Sequence, residues 1–486
     1  MTTHTAEAGT EEPGADEYDL IVLGGGPVGE NVADRAAQGG LAVIIVEDEL
    51  VGGECSYWAC TPSKALLRPV HAVRAARHVR GADAAVTGEI DVSEVFARRD
   101  AAVNEWSDDG QVRWLDSAGI ALARGRGRLT GEREVTVTDA DGGTRVLRAR
   151  HAVAISTGSD AAVPPIEGLR EAAPWTSREA TSAKELPPSL AVIGGGVVAV
   201  EMATVYAGLG SAVTLIARSG LLGGMEPFAG ERVAAGLKEL GVDVRTGTAT
   251  ESVRRGEEGV TITLGDGATV TAAEVLVATG RTPRSGDIGL EVVGLEPGRW
   301  IETDDTLRVP DHDWLYAVGD VNGRVLLTHQ GKYQARAAGD VIVARAKGDP
   351  VDDGRWGRHA ATADHAAAPQ VTFSMPEVAS VGLTAAAARE AGHEIEVVDY
   401  DLGWVAGAGL AEDGYEGQAR LVVDTRREVV LGATFVGPEV AELLQAATIA
   451  IAGEVPIARL WHAVPAFPTV SEIWLRLLEG YGRDSA

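Results

Sequence analysis

Short apolar runs alternate along this chain with stretches whose apolar positions recur at helical spacing, and the alternation begins close to the start. Leu20-Ile21-Val22-Leu23 meets Gly24-Gly25-Gly26-Pro27-Val28-Gly29, after which Glu30 to Gln38 carries a helical pattern. A second apolar run, Leu41 to Val46, ends on Glu47. The order strand, glycine turn, helix, strand, acid predicts an α/β unit. It recurs: Leu190-Ala191-Val192-Ile193 leads into Gly194-Gly195-Gly196-Val197-Val198-Ala199, a helix through Leu209, and a strand from Ala212 to Ile216.

Gly24, Gly26 and Gly29 fit the spacing G-x-G-x-x-G, and Glu47 stands where a ribose-binding carboxylate is expected. The first glycine permits the turn, the second lets a pyrophosphate approach the backbone, and the third lets helix pack on strand. Dinucleotide binding is therefore expected here. Gly194 and Gly196 open the second unit, which has no acid: Ala217 ends its strand and Arg218 follows. A carboxylate there would repel a 2′-phosphate and an arginine can pair with one, so NADPH is favoured over NADH. An ordinary solvated arginine would also stand at 218.

Between the two units, Arg124 to Arg150 reads as short strands turning at Gly131 and Asp141-Gly142-Gly143. His151 to Thr157 and Glu274 to Thr279 are apolar strands ending in Thr157-Gly158 and Thr279-Gly280. Val163-Pro164-Pro165, Leu186-Pro187-Pro188 and the polar stretch Gly354 to Pro369 read as linkers. Beyond them, Val371-Thr372-Phe373, Gln418 to Val423 and Val429 to Val436 read as sheet, and Ala441 to Ala452 as helix.

The length of 486 residues suits roughly three domains. A net charge of −28, with only five lysines among 43 basic residues, repels polyanions and argues against nucleic acid or an anionic membrane as partner. Residues 1–17 are polar and acidic, without a basic or an apolar signal segment, and read as a disordered tail. No apolar run reaches membrane-spanning length, so a cytoplasmic location is expected.

That reducing setting gives weight to the only two cysteines, Cys55 and Cys60, in Gly53-Glu54-Cys55-Ser56-Tyr57-Trp58-Ala59-Cys60-Thr61-Pro62-Ser63-Lys64. In a regular helix such positions are about 7.5 Å apart in rise and about 140° apart in angle, too far for a disulfide without local distortion. Pro62 supplies a cause, because it has no N–H for the Trp58 carbonyl. A helix running from the pair through Lys64 to Val79 would stabilise a thiolate with its dipole, and Lys64 would add to that. Taken alone, two buried structural thiols would look the same.

With this pair placed just after the first glycine unit, the chain resembles the class I pyridine nucleotide-disulfide oxidoreductases, the family of dihydrolipoamide dehydrogenase, glutathione reductase and mercuric reductase. The likeness is nearly end to end: C-x4-C-x-P-S-K, both glycine loops, Thr157-Gly158, Thr279-Gly280-Arg281, Tyr316-Ala317-Val318-Gly319-Asp320, Pro376 to Thr384, and Phe467-Pro468-Thr469-Val470-Ser471-Glu472. It implies an α/β fold with two Rossmann-like domains, for FAD and NAD(P)H, and a C-terminal α+β domain forming a homodimer with a composite site. The implied division is 18–165 and 283–355 for FAD, 166–282 for NAD(P)H and 366–486 for dimerisation. By the same likeness Gly24, Gly26, Gly29, Glu47, Gly53, Gly158, Asp320 and Thr328 serve FAD, and Gly194, Gly196, Arg218 and Gly280 the nicotinamide nucleotide. Lys64 is implied to sit near the flavin N5 with Glu201 as its partner, Cys60 to face the flavin ring and Cys55 to face substrate. The expected activity passes electrons from NADPH through FAD and Cys55-Cys60 to a disulfide or another small oxidant, with no metal.

The chain departs from that pattern at Phe467, where family members acting on disulfides carry a histidine. Phenylalanine cannot move a proton, and such help is worth roughly 10²–10⁴-fold. Glu472, the acid that would orient the histidine, is retained as a catalytic candidate; His462 lies too early to substitute. Glu54 replaces a small residue, and Tyr57-Trp58 a smaller insert. The mercuric reductases' extra C-terminal cysteine pair is absent. Two further readings stay open: direct transfer from flavin to a quinone-like acceptor with non-essential cysteines, and a flavin-based redox sensor.

Overall fold

The structure is a computed structural model and describes residues 16–483. Of the stretch expected to be a disordered tail, residues 1–15 lie outside the described part, and Glu17 already belongs to the first strand. The described chain divides into two compact units: residues up to 53, 108–159 and 283–361, and residues 54–107, 160–282 and 362 onward.

The first unit is built on a seven-stranded sheet. β1 (Glu17–Leu23) lies between β2 (Val43–Glu47) and β6 (Thr144–Ile155), with β3 (Ala121–Arg124) beyond β2; all these pairings are parallel. β4 (Arg126–Gly131) and β5 (Glu134–Thr138) continue antiparallel from β6, which also pairs in parallel with Leu315–Ala317. The inner strands are apolar on both faces because helices cover the parallel part: every residue of β2 is buried. Helix α1 (Pro27–Gln38) opens with proline in its first turn, where a missing N–H costs nothing. It buries Gly29, Val32, Ala33 and Ala36 and packs along Thr328–Lys347, where Gly331 and Gly339 admit Val28 and Arg35.

The second unit holds a four-stranded parallel sheet in the order Asp243–Thr246, Ala212–Ala217, Ser189–Ile193, Glu274–Val277, and a three-stranded antiparallel sheet, Thr250–Gly256, Gly259–Leu264, Thr269–Ala272. Helix Val197–Gly208 is mostly apolar and buries every residue from Ala199 to Tyr206, Glu201 and Thr204 among them. The C-terminal part is a five-stranded antiparallel sheet, Pro369–Thr372, Glu377–Gly382, Val429–Gly437, Gln418–Asp424, Ile395–Asp401, backed by Leu444–Ala452 and Ile473–Tyr481. The helix expected over Ala441 to Ala452 starts with a 3-10 turn at Val440–Leu443 and turns α-helical at Leu444. Among the described residues no helix is long and apolar enough to cross a membrane.

Candidate functional site

The first glycine loop is shaped by close approach. Gly24 has φ +98°, and a Cβ on it would stand 2.5 Å from the Ser156 carbonyl oxygen; on Gly29 it would stand 1.9 Å from that of Gly24. Any side chain would push β1 from α1 or from the end of β6. Glu47, at the end of β2, accepts from Gly25 N–H at 2.6 Å and Glu49 N–H at 2.7 Å. Burial pushes its carboxyl up, against these two hydrogen bonds. Burial likewise raises the Glu30 carboxyl to about 7, with Lys332 opposing and Glu47 adding to the rise. Gly53, at φ +57°, presses on Gly26: a Cβ there would lie 2.7 Å from the Gly26 Cα.

Elsewhere in this unit Gly319, at φ +81°, lies over Val28, and its N–H donates to Gln334 Oε1 at 2.8 Å. Gln334 also receives Asn322 Nδ2 at 2.9 Å, which fixes the turn that presents Asp320. Asp320 accepts from Ser159 Oγ at 2.5 Å, a partner no local sequence signal foretold. Thr328 opens its helix with Leu327 as cap, and Gly158 has φ +76° with open space where a Cβ would stand. A loop without side chains, a buried acid at a strand end and a fixed carboxylate fit the phosphate, ribose and ribityl groups of FAD.

The second loop repeats the scheme. Gly194 has φ +140°, and its Cβ would stand 2.2 Å from the Ala278 carbonyl oxygen; Gly196 has open space in the same direction. Ala199 is accommodated where the first loop needs glycine. Arg218 is exposed, as is Gly280 at φ +141°.

In the second unit the dithiol segment is two helices rather than one. α2 (Gly53–Tyr57) holds Cys55, and α3 (Cys60–Arg77) begins at Cys60, with a break at Ala59 (φ −136°, ψ −93°). Pro62 thus falls in the first turn of α3, where no N–H is missed. The carbonyl it cannot serve, that of Trp58, accepts from Thr181 Oγ1 at 2.9 Å. Both cysteines are half-buried.

One turn along α3 from Cys60, Lys64 Nζ lies 2.7 Å from Glu201 Oε2. The Glu201 side chain is only 4 % exposed, and its other oxygen accepts from Phe373 N–H at 2.9 Å, so both oxygens are satisfied. The ammonium lies 5.0 Å from the centre of the Phe373 ring. Helix Val197–Gly208 can deliver Glu201 because Gly208 admits Val70 of α3: a Cβ on it would stand 2.3 Å from a Val70 methyl. Phe373 carries no chemistry of its own and gave no sequence signal.

Helix Ser177–Ser182 completes this region. A capping box of Thr176 and Glu179 opens it. Its C-terminal end is held by Arg99, fully buried, which donates to the carbonyls of Thr181 at 2.7 Å and Ala183 at 2.9 Å. Tyr206 Oη donates to Ala180 O at 2.7 Å. Arg178 reaches Glu54 Oε2 with Nε at 2.9 Å and Nη2 at 2.7 Å, and its guanidinium lies 4.2 Å from the Trp58 ring centre. The spacing Thr176-x-x-Glu179 is a local signal that could have marked this helix start; the reach of Arg178, Thr181 and Arg99 has no such signal.

At the C-terminal motif Phe467 is 74 % exposed, and Glu472 is buried, paired through Oε1 with Arg476. Glu472 Oε2 has no hydrogen-bond partner among the described residues.

A family model described as pyridine nucleotide-disulphide oxidoreductase matches residues 18–338, and one for that group's dimerisation domain matches 368–477. The dihydrolipoyl dehydrogenase of Halobacterium salinarum is 31% identical over 474 residues, 95% of each chain. That of Chlorobaculum tepidum is 33% identical, over 94% of this chain and 96% of its own. The mercuric reductase of Acidithiobacillus ferrooxidans is 32% identical, over 96% and 81%. In fold, LpdA from Mycobacterium tuberculosis is similar with a TM-score of 0.82 at 24% identity, covering 96% of this chain and 99% of that one. The HOCl-induced flavoprotein disulfide reductase RclA from Escherichia coli gives 0.80 at 24%, covering 95% and 99%.

Proposed function

Because the chain belongs to the pyridine nucleotide-disulphide oxidoreductase family, and is thus an FAD-dependent oxidoreductase fed by NAD(P)H, we propose that it uses NADPH and passes two electrons through Cys55 and Cys60 to a disulfide or another small oxidant. The family's dimerisation domain supports a homodimer. We read 18–165 and 283–355 as the FAD-binding parts, 166–282 as the NAD(P)H-binding part and 366–486 as the dimerisation part.

The observation that carries this reading is the Lys64–Glu201 pair, its carboxylate buried, one helical turn from Cys60. An ammonium fixed there, together with the N-terminal end of α3, favours a thiolate at Cys60. Glu201 holds the ammonium through a carboxylate that the Phe373 amide also holds. Gly24, Gly26, Gly29, Glu47, Gly53, Gly158, Asp320 and Thr328 are the residues proposed to hold FAD, which when bound supplies the two-electron relay between a nicotinamide and a thiol pair. Gly194, Gly196, Gly280 and Arg218 are those proposed for NADPH; the exposed Arg218 suits a 2′-phosphate. Glu472 is proposed as a catalytic carboxylate, its buried Oε2 having no hydrogen-bond partner among the described residues.

Phe467 supports a second reading, in which acceptors take electrons without the thiols: nothing at that position can carry a proton. Steady-state turnover separates the two. Under the leading reading Cys55→Ser lowers disulfide reduction at least 100-fold and leaves quinone reduction by NADPH within about threefold, given the usual scale of losing a nucleophile. If every acceptor the parent reduces is reduced equally well by Cys55→Ser, the dithiol relay is excluded.

A further inference from the structure

Glu54 is an awkward neighbour for a thiol that must ionise. Reduction of Cys55–Cys60 breaks the S–S bond, takes up two electrons that originate on NAD(P)H, and leaves two sulfur anions that are protonated according to pH. A carboxylate on the residue before Cys55 opposes the anion there. The structure places a counter-charge on it from 124 positions away: Arg178 Nε and Nη2 both reach Glu54 Oε2. The guanidinium is not free to wander, because it lies on the Trp58 ring and its helix is tied at both ends. Trp58, the residue after α2, lies one turn on from Glu54, its N–H donating to the Glu54 carbonyl at 2.8 Å.

We propose that Arg178 is a positioning residue for the dithiol: by neutralising Glu54 and stacking on Trp58 it keeps Cys55 ionisable at neutral pH. The Glu54 and Arg178 side chains are 21% and 26% exposed, so the pair is screened less than a surface salt bridge. Arginine suits the role better than lysine, since one planar group both stacks and donates twice. This inference rests on the reading that Cys55 and Cys60 cycle as a pair.

The test follows alkylation of Cys55 by iodoacetamide in the FAD-loaded enzyme from pH 5.5 to 9.5, with peptide mass spectrometry separating Cys55 from Cys60. Thiols are generated in parallel by anaerobic NADPH and by dithiothreitol followed by desalting. Arg178→Met is expected to move the Cys55 midpoint up by about one pH unit, making it about tenfold slower at pH 7. Glu54→Gln is expected to move it down and speed the reaction at pH 6, and the double variant to return within about threefold of the parent. Profiles that superimpose in all forms overturn the proposal. So does a slower Glu54→Gln, since lost packing alone would slow it. Should Arg178→Met fail to fold, the sign of the Glu54→Gln shift decides. Thiols that form with dithiothreitol but not with NADPH count against the relay reading, while the dithiothreitol-generated profiles still decide the role of Arg178.

Discussion

The two glycine loops share one backbone scheme and differ in the side chains set on it. In each, the first glycine's N–H donates at 2.9 Å to the next-to-last carbonyl of the neighbouring strand, Val46 in one and Ile216 in the other. In each, the carbonyl of the next residue, Gly25 or Gly195, accepts at 2.8 Å from the amide five positions beyond that strand, Gly52 or Leu222. The third position is Gly29 in the first loop and Ala199 in the second, and the strand ends on buried Glu47 in one and on Ala217 with exposed Arg218 in the other. On the proposed reading the frame offers backbone to a pyrophosphate, and the strand-end residue selects between a free ribose hydroxyl and a 2′-phosphate.

The largest expected effect breaks the frame. Gly29→Val places carbon where the Gly24 carbonyl already sits at 1.9 Å, and the purified protein should lose nearly all its flavin absorbance. Ala199→Gly in the second loop should keep FAD and change KM for NADPH by less than about threefold, since removing one methyl at a helix costs only about 1 kcal/mol. Equal damage at the two positions would mean that the loops are not doing different work. Next in size, Arg218→Ala should raise KM for NADPH by about tenfold to a hundredfold, the value of a charge-assisted phosphate contact, and leave NADH within twofold. Adding Ala217→Glu should invert the preference; unchanged ratios in both would remove the basis for preferring NADPH.

The smallest effect concerns the acids that only the first loop possesses. Glu30 has its carboxyl raised to about 7 by burial. A carboxyl titrating higher in the folded than in the unfolded chain binds its proton more tightly when folded, so apoprotein stability falls as pH rises from about 4.5 to about 7. Glu30→Gln should therefore raise the melting temperature of the apoprotein at pH 8 and leave it nearly unchanged at pH 4.5, the gain being on the order of 3 kcal/mol at most. A gain of equal size at both pH values would point to packing instead.

Much of this site was legible in the sequence because its signals are local. Glycine spacing, a strand-end acid and two cysteines near Lys64 each fit within a few dozen residues. The break at Ala59 was foreshadowed by Pro62, although the proline ended inside the first turn of α3 and did not distort a continuous helix. What stayed hidden were partners delivered by tertiary packing: Ser159 for Asp320, Phe373 for Glu201, Gln334 for the turn at Gly319. Each is a residue of ordinary type in an ordinary local pattern, made specific by a neighbour more than a dozen positions away.

The hydrogen bond from Thr181 to the Trp58 carbonyl makes the reactive turn a dependent structure. Six residues of Ser177–Ser182 cannot hold a helix unaided, so the fold of that segment, and with it the carbonyl's only side-chain donor named above, relies on a buried arginine from a third stretch of chain. Amide hydrogens around the cysteines should then exchange in step with those of 177–182, opening as one cooperative patch instead of fraying from the nearer chain end. A mutation at Arg99, remote from any reacting atom, would be felt first as a loosening of the thiols.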